Sequence, residues 1–449
     1  MKRIFLFLLL AALVSLGHAA EKPNLVIFLA DDLSLLDTSV GGSRDIRTPN
    51  MERLARAGMT FTHAFVASPT CAPSRAALLT GRYPVRNGSE ANHSKARADV
   101  EKLPARFRQL GYEVAAFGKV AHYGHGEAYS LDGIQFESFH DHRGIPAAVN
   151  FLAHRDTTKP LCLFVGTNWP HRPWPQNAEY DAAALSLPAT QVDTPRTRDW
   201  RTRYATAVTK CDDDLGTIYD AALARLGANT LFLFSSDHGA QWPFGKWTLY
   251  DAGIHVPAII AWPGVVKPDT RTDAMVSWID FLPTLLEAAG DELPPGLDGR
   301  SFLAVLRDGK KEHRDRIFTT HSSDGSMNVY PCRGVRSRDW KYILNLHPEF
   351  QFTSHVDRAK NADETDYFRS WEAAAQTDAN AAAIVRRYHQ HPREELYDLQ
   401  ADPFEMNNLA ADPSHAGRLA TFRQEVEDWM REQGDEGKVF GTPVFSGNR

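Results

Sequence analysis

Short unbroken apolar runs alternate along this chain with stretches whose apolar residues recur every three or four positions. The runs are NLVIFLADD (Asn24–Asp32), YEVAAFGK (Tyr112–Lys119), LCLFVGTNW (Leu161–Trp169), TLFLFSSDHG (Thr230–Gly239) and VPAIIAWPG (Val256–Gly264). Continuous apolar segments of this length, closed by turn residues, predict strands buried on both faces. MERLARAGM, EKLPARFRQLG and YATAVTKCDDDLGTIYDAALARLG lie between them and carry helical spacing with a glycine near the end. Strand and helix in succession predict an α/β fold, a mostly parallel sheet sandwiched by helices.

The alternation thins after about Leu306. An Ala-rich helix over Ala373–Val385, strand-like WKYILNL and EELYDL, and a closing helix RLATFRQEVEDWMREQ follow. These predict a smaller C-terminal α+β subdomain with a small antiparallel sheet, over residues 311–449, behind a main domain at 21–310. Residues 1–20, MKRIFLFLLLAALVSLGHAA, have a basic start, a short apolar run and a small-residue end. That is the pattern of a removable signal peptide, so the chain is expected to be exported, periplasmic or secreted. No later segment reaches the roughly 20 apolar residues of a membrane span, and no stable membrane insertion is expected.

Composition narrows the partners. A net charge of -6 with both signs interspersed leaves no basic footprint for nucleic acid. Four cysteines in 449 residues cannot hold a scaffold by disulfides, so the fold must rest on its core. Cys162 falls in an apolar run and reads as a small hydrophobe, whereas Cys211 and Cys332 can be read as paired or free.

The chemistry gathers at the ends of the predicted strands, where open parallel sheets bind ligands. Asp31 and Asp32 close one strand, and Asp237 and His238 close another. Three carboxylates and an imidazole at one rim repel unless a divalent cation holds them together. Each pair taken alone is also what a plain helix cap looks like. In SPTCAPSRAALLTGR (Ser68–Arg82), Cys71 stands just before a helix expected over Ser74–Leu79, with Arg75 one turn on. A helix start favours an anion, which leaves a low-pKa thiolate nucleophile, an anion-binding turn and a buried structural cysteine all open.

The stretch Cys71-Ala72-Pro73-Ser74-Arg75 followed by LLTGRYP resembles the signature of the formylglycine-dependent sulfatases. The likeness continues through KPNLVIFLADD, FGKVAHYG, NWPHRPW, FLFSSDHG, GKWTLYDAGIHVPAII, VSWIDFLPTLLEAAG and ELYDLQADPFEMNNLA. It implies an alkaline-phosphatase-like fold and conversion of Cys71 to Cα-formylglycine by a formylglycine-generating enzyme during export. It further implies a Ca2+ ion held by Asp31, Asp32, Asp237, His238 and the group at position 71. Lys119, His122, His171 and Lys246 would surround the sulfate, His171 acting as general acid, and Arg75 would brace the residue at 71.

His238 where many members carry Asn, the Lys119-x-x-His122 spacing and His255-Val256-Pro257 resemble iduronate-2-sulfatase. His321–Leu346 is more like the C-terminal part of N-sulfoglucosamine sulfohydrolase. His93, His255, His321, Asp324 and Arg333 are therefore candidates for substrate contact. The activity implied is hydrolysis of sulfate esters or N-sulfates on a sulfated oligo- or polysaccharide. A phosphonate or phosphate monoester hydrolase of the same superfamily, and a non-catalytic glycan-binding relic, are the competing readings. Asn87-Gly88-Ser89 and Asn92-His93-Ser94 also match the N-glycosylation pattern.

Overall fold

The computed structural model describes residues 21–359 and 362–446, so the expected leader at 1–20 lies outside the described residues. Thirteen strands are present among the described residues: β1 (Asn24–Ala30), β2 (Met59–Phe61), β3 (Ala64–Phe65), β4 (Glu113–Gly118), β5 (Leu161–Gly166), β6 (Thr230–Ser236), β7 (Ala258–Ala261), β8 (Thr270–Thr272), β9 (Val276–Ser277), β10 (Ile317–Asp324), β11 (Asn328–Arg336), β12 (Trp340–Asn345) and β13 (Glu394–Asp398). Seven of them form the main sheet in the order β4-β5-β1-β6-β7-β2-β8. The expected parallel architecture holds where the apolar runs are longest: β4, β5, β1 and β6 pair in parallel, Leu25 opposite both Cys162 and Leu231. The six residues from Leu25 to Ala30 are wholly buried, as a strand covered by helices on both faces requires.

The strand in VPAIIAWPG runs the other way. β7 pairs antiparallel with β6, because the chain between them forms only the one-turn helix Asp251–Ile254. A parallel return needs a full crossover element. The short strands β2 and β8, the latter at the edge, have no clear apolar run, and their assignment comes from the pairing rather than the pattern.

The second sheet, β10-β11-β12-β13, is antiparallel throughout. Leu419, Phe422 and Val426 of the Ala416–Gln433 helix pack on its Val335, Tyr342, Leu344 and Leu396, and Trp429 stacks on Phe318 with centroids 5.1 Å apart. The single Ala-rich helix expected over Ala373–Val385 is instead two, Ala362–Ala374 and Ala379–His389. Asp378 separates them: its side chain accepts from the N–H groups of Asn380 and Ala381, and so starts a new helix in place of continuing the old one. All four cysteines are buried free thiols. No helix among the described residues is long and apolar enough to cross a membrane.

Candidate active site

Because β1, β4, β5 and β6 run parallel, their carboxyl ends deliver Asp31–Asp32, Lys119, Thr167–His171 and Asp237–His238 to one edge. The helix carrying Cys71 enters the same edge. It spans Cys71–Thr80, beginning three residues earlier than the sequence suggests, since the side chain of Asn92 accepts from the Ala72 N–H and supplies the cap. Every residue of this helix is buried. The Cys71 Sγ lies 3.3 Å from His238 Nε2, 3.4 Å from Lys119 Nζ, 3.5 Å from Lys246 Nζ and 3.9 Å from Asp31 Oδ1.

Two ammonium groups neutralise part of the acid cluster. Lys119 donates to Asp31 Oδ2 at 2.5 Å, and Lys246 donates to both oxygens of Asp32 at 2.9 and 3.0 Å. Gly166 allows the first of these, since a Cβ there would fall 2.0 Å from the Lys119 carbonyl oxygen. Arg75 reaches past Cys71. Its Nε donates to Asp237 Oδ2 at 2.9 Å and its Nη2 lies 3.3 Å from Asp31 Oδ1, while the same guanidinium donates to the carbonyls of Lys119, Val120 and Ala30. It fastens the ends of β1, β4 and β6 together, where the resemblance implied a brace on residue 71.

Burial pushes the Cys71 thiol up to about 12 although Lys119 and Lys246 pull it down. In the absence of a cation, desolvation outweighs the helix end and both lysines at this sulfur. Burial also pushes Asp31 up to about 6 against the pull of Lys119, and raises Asp32 against Lys246. Asp237 falls below the usual carboxylate range, because Arg75 and His238 more than offset its burial. The upward displacement of Asp31 and Asp32 follows first from burial, which the neighbouring lysines only partly offset.

That donor set fits a divalent cation. Asp31, Asp32, Cys71 and His238 offer ligand atoms within 4.8 Å of one another, and Asp237 lies alongside, its Oδ2 3.5 Å from His238 Nε2. His238 Nδ1 donates to the Gly239 carbonyl at 3.0 Å, which leaves Nε2 bare, as a ligating imidazole requires.

Above the cluster opens a cleft of about 560 Å³, bounded by Cys71, Lys246, His122, His171, His93 and Asp324 among others. His171 stacks on Phe139 with centroids 3.6 Å apart, and its Nδ1 donates to the Arg172 carbonyl at 2.5 Å. Its Nε2 is 3.8 Å from Asp32 Oδ2. Burial, then Lys246 and Lys119, hold His171 well below the ordinary imidazole value. His122 is lowered likewise by burial and Lys119.

Of the five residues considered for substrate contact, the fold brings His93 and Asp324 to this cleft. His255 lines a separate cavity of about 780 Å³, and its Nε2 donates to the Thr62 carbonyl at 2.8 Å. His321 is buried against Asn328 Oδ1 at 2.6 Å. Arg333 is buried against Asp435 and the His321 carbonyl. His355 and Trp247 line the cleft as well, with rings stacked 5.3 Å apart. His355 stands in no motif, and Trp247 follows Lys246 within GKWTLYDAGIHVPAII. Asn87 donates to Thr80 Oγ1 and the Arg82 carbonyl inside the protein, and Asn92 caps the Cys71 helix, so both glycosylation sequons serve internal bonds.

A mostly parallel sheet with a buried acid cluster at its carboxyl edge, and a small antiparallel sheet beside the cleft, is the alkaline-phosphatase-like architecture. Comparison with known proteins narrows this. Residues 23–291 match the profile of the Sulfatase family, and residues 238–380 match that of N-sulphoglucosamine sulphohydrolase, C-terminal. The chain belongs to the sulfatase family, and with it to the sulfuric ester hydrolases. It is 30% identical to an ulvan-active sulfatase of Formosa agariphila, over 96% of this chain and 85% of that protein. It is 27% identical to human N-sulphoglucosamine sulphohydrolase, over 95% and 93% of the two chains. A structure solved with its substrate D-glucosamine-2-N,6-O-disulfate superimposes with a TM-score of 0.68 at 21% identity, covering 93% of this chain and 99% of the other.

Proposed function

We propose that this protein hydrolyses sulfate groups, O-linked or N-linked, on a sulfated glycan, after Cys71 has been converted to formylglycine. The observation that carries the reading is the convergence on Cys71 Sγ of Lys119, Lys246 and His238 at 3.3 to 3.5 Å beneath an open cleft. Bound at Asp31, Asp32, Asp237 and His238, Ca2+ would neutralise charge on the sulfate, and the hydrated aldehyde at 71 would supply the attacking hydroxyl. A formylglycine-generating enzyme is the maturation partner. The ulvan-active and N-sulphoglucosamine relatives support a polysaccharide or glycosaminoglycan substrate, and the leader pattern supports export.

The remaining chemistry falls to this chain's own residues. Lys119 and Lys246 donate to sulfate oxygens beside position 71, where burial makes each ammonium count for more than it would in water. His171 protonates the leaving oxygen or nitrogen through Nε2, since Nδ1 is committed to the Arg172 carbonyl. It is neutral in the free cleft, and the substrate's negative charge is what favours its acid form. His122 contacts the sulfate or shares the proton traffic. Arg75 acts at one remove by holding Asp31 and Asp237 in place. The boundaries at 21–310 and 311–449 would separate the part that bears the nucleophile from the part that closes the cleft.

Two measurements test this together. Mass spectrometry of the peptide containing position 71, taken from a host that performs the conversion, should show the aldehyde in place of the thiol. Cys71→Ala should then lose sulfate release from a sulfated disaccharide by at least about 10^3-fold. Undiminished turnover by fully unconverted protein would remove formylglycine from the reading, and faster turnover of aryl phosphonates than of aryl sulfates would replace the substrate class.

A further inference from the structure

Three residues that no shared motif joins form a hydrogen-bonded chain along the wall of the cleft. His122 Nε2 lies 2.8 Å from His93 Nδ1, and His93 Nε2 lies 3.0 Å from Asp324 Oδ1. Asp324 ends β10 in the C-terminal sheet, His93 sits on a loop, and His122 follows β4, so the chain spans both sheets. The other oxygen of Asp324 accepts from Trp247 Nε1 at 2.6 Å and lies 3.4 Å from His355 Nε2. Burial alone would raise the Asp324 carboxyl, but its bonds to His355 and His93 hold it well below the usual range. Asp324 is thus an ionised, acceptor-only group.

The protons follow from that. An ionised Asp324 requires the His93 hydrogen on Nε2, and a neutral His93 then offers Nδ1 as an acceptor. His122 must fill it with its Nε2 hydrogen, which leaves His122 Nδ1 bare. That nitrogen is buried and has no hydrogen-bond partner among the described residues, yet His122 lines the cleft. A proton arriving there would meet a poor site for charge, buried and beside Lys119. The chain removes the difficulty. As Nδ1 of His122 gains a proton, its Nε2 proton passes to His93 Nδ1, and the positive charge comes to rest on His93. The His93 side chain is 49% exposed, so there the charge is both hydrated and paired with Asp324. The reverse transfer returns the proton to the cleft, and no atom is left unbalanced.

We infer that His93 and Asp324 are positioning residues of the sulfatase reaction, which fix His122 in the tautomer with a bare Nδ1 and carry its charge when that nitrogen takes up a proton. The inference rests on the proposed role of the cleft, and it gives His93 and Asp324 a task other than touching the sugar. Polarising partners of this kind act on turnover rather than binding.

The experiment uses the full converted protein, a sulfated disaccharide and an aryl sulfate. His93→Ala and Asp324→Asn should each lower kcat by about 10- to 100-fold on both substrates, with KM changed by less than about threefold. Because His93 is half exposed, added imidazole should restore a measurable part of kcat to His93→Ala and none to Asp324→Asn. The exposed position of His93 also makes its variant the sound test if Asp324→Asn folds poorly. Unchanged kcat in His93→Ala overturns the inference, as does a rise in KM confined to the disaccharide, which marks direct sugar contact. No sulfate release by the wild-type protein on either substrate overturns the hydrolase reading itself; release by the wild type with full kcat in His93→Ala overturns the relay alone.

Discussion

At the scale of single residues, the site is organised by groups that never touch substrate. Arg75 is 1% exposed and lies between two carboxylates that are wholly buried. Removing its charge leaves Asp31 and Asp237 facing each other in a dry interior with one fewer cation, and breaking such a pair costs far more than its formation contributes. Arg75→Met should therefore destabilise the fold by about 3–5 kcal/mol, read as a shift in urea midpoint at unchanged slope. Arg75→Lys keeps the charge but not the planar fork that reaches both carboxylates and three carbonyls, and should lie between the two. Cys71, Arg75 and the paired acids could be read from the sequence because their spacing is local. Asp31 and Asp32 are adjacent, and Cys71 and Arg75 share one helical turn. His355 gives no such sign, and His93 and Trp247 stand in segments that do not reveal their partners. All three meet at Asp324, which lies 231 positions from His93 and 77 from Trp247, and spacing along the chain carries no record of that.

The same divide separates the elements. β1, β5 and β6 announce themselves because burial on both faces demands an unbroken apolar run. β10 and β11 do not, since their buried positions include His321, Asn328 and Arg333, polar side chains that the interior admits because they bond to one another or to backbone. His321 exposes what that admission costs. It is 1% exposed, bonded through Nε2 to Asn328 at 2.6 Å, and burial lowers its pKa to about 4. An imidazole depressed in the folded state contributes stability that is complete above its unfolded pKa, near 6.5, and is lost as the pH falls through the folded one. Between pH 7 and pH 4 the wild type should lose roughly 3 kcal/mol that His321→Gln does not. Urea titrations at the two pH values, run on both proteins, measure the difference directly. An equal acid loss in both would mean that His321 is already charged or already wet.

Across the whole molecule, the seven-stranded and four-stranded sheets form one machine because buried charge crosses the seam between them. Asp251, in the turn that follows the Lys246 loop, takes Arg336 Nη2 at 2.9 Å and Lys341 Nζ at 2.5 Å, and Lys341 also holds Glu405 at 2.7 Å. Arg336 and Lys341 belong to β11 and β12, the sheet that also carries Asp324 into the cleft. Burial works against the Asp251 carboxylate, yet these two cations keep it ionised well below the usual range. Asp251→Asn preserves the shape of the seam but strands two buried cations with only Glu405 between them, a loss of about 3–5 kcal/mol. If the seam fixes the cleft, sulfate release by this variant should fall at urea concentrations below its main unfolding transition, since Asp324 and His355 approach Cys71 only when the sheets are docked. In the wild type, activity and structure should disappear together. Separate transitions in the wild type would show instead that the cleft is closed by local contacts, and that the C-terminal sheet is held to the site by His93 and Trp247 rather than by the charges beneath it.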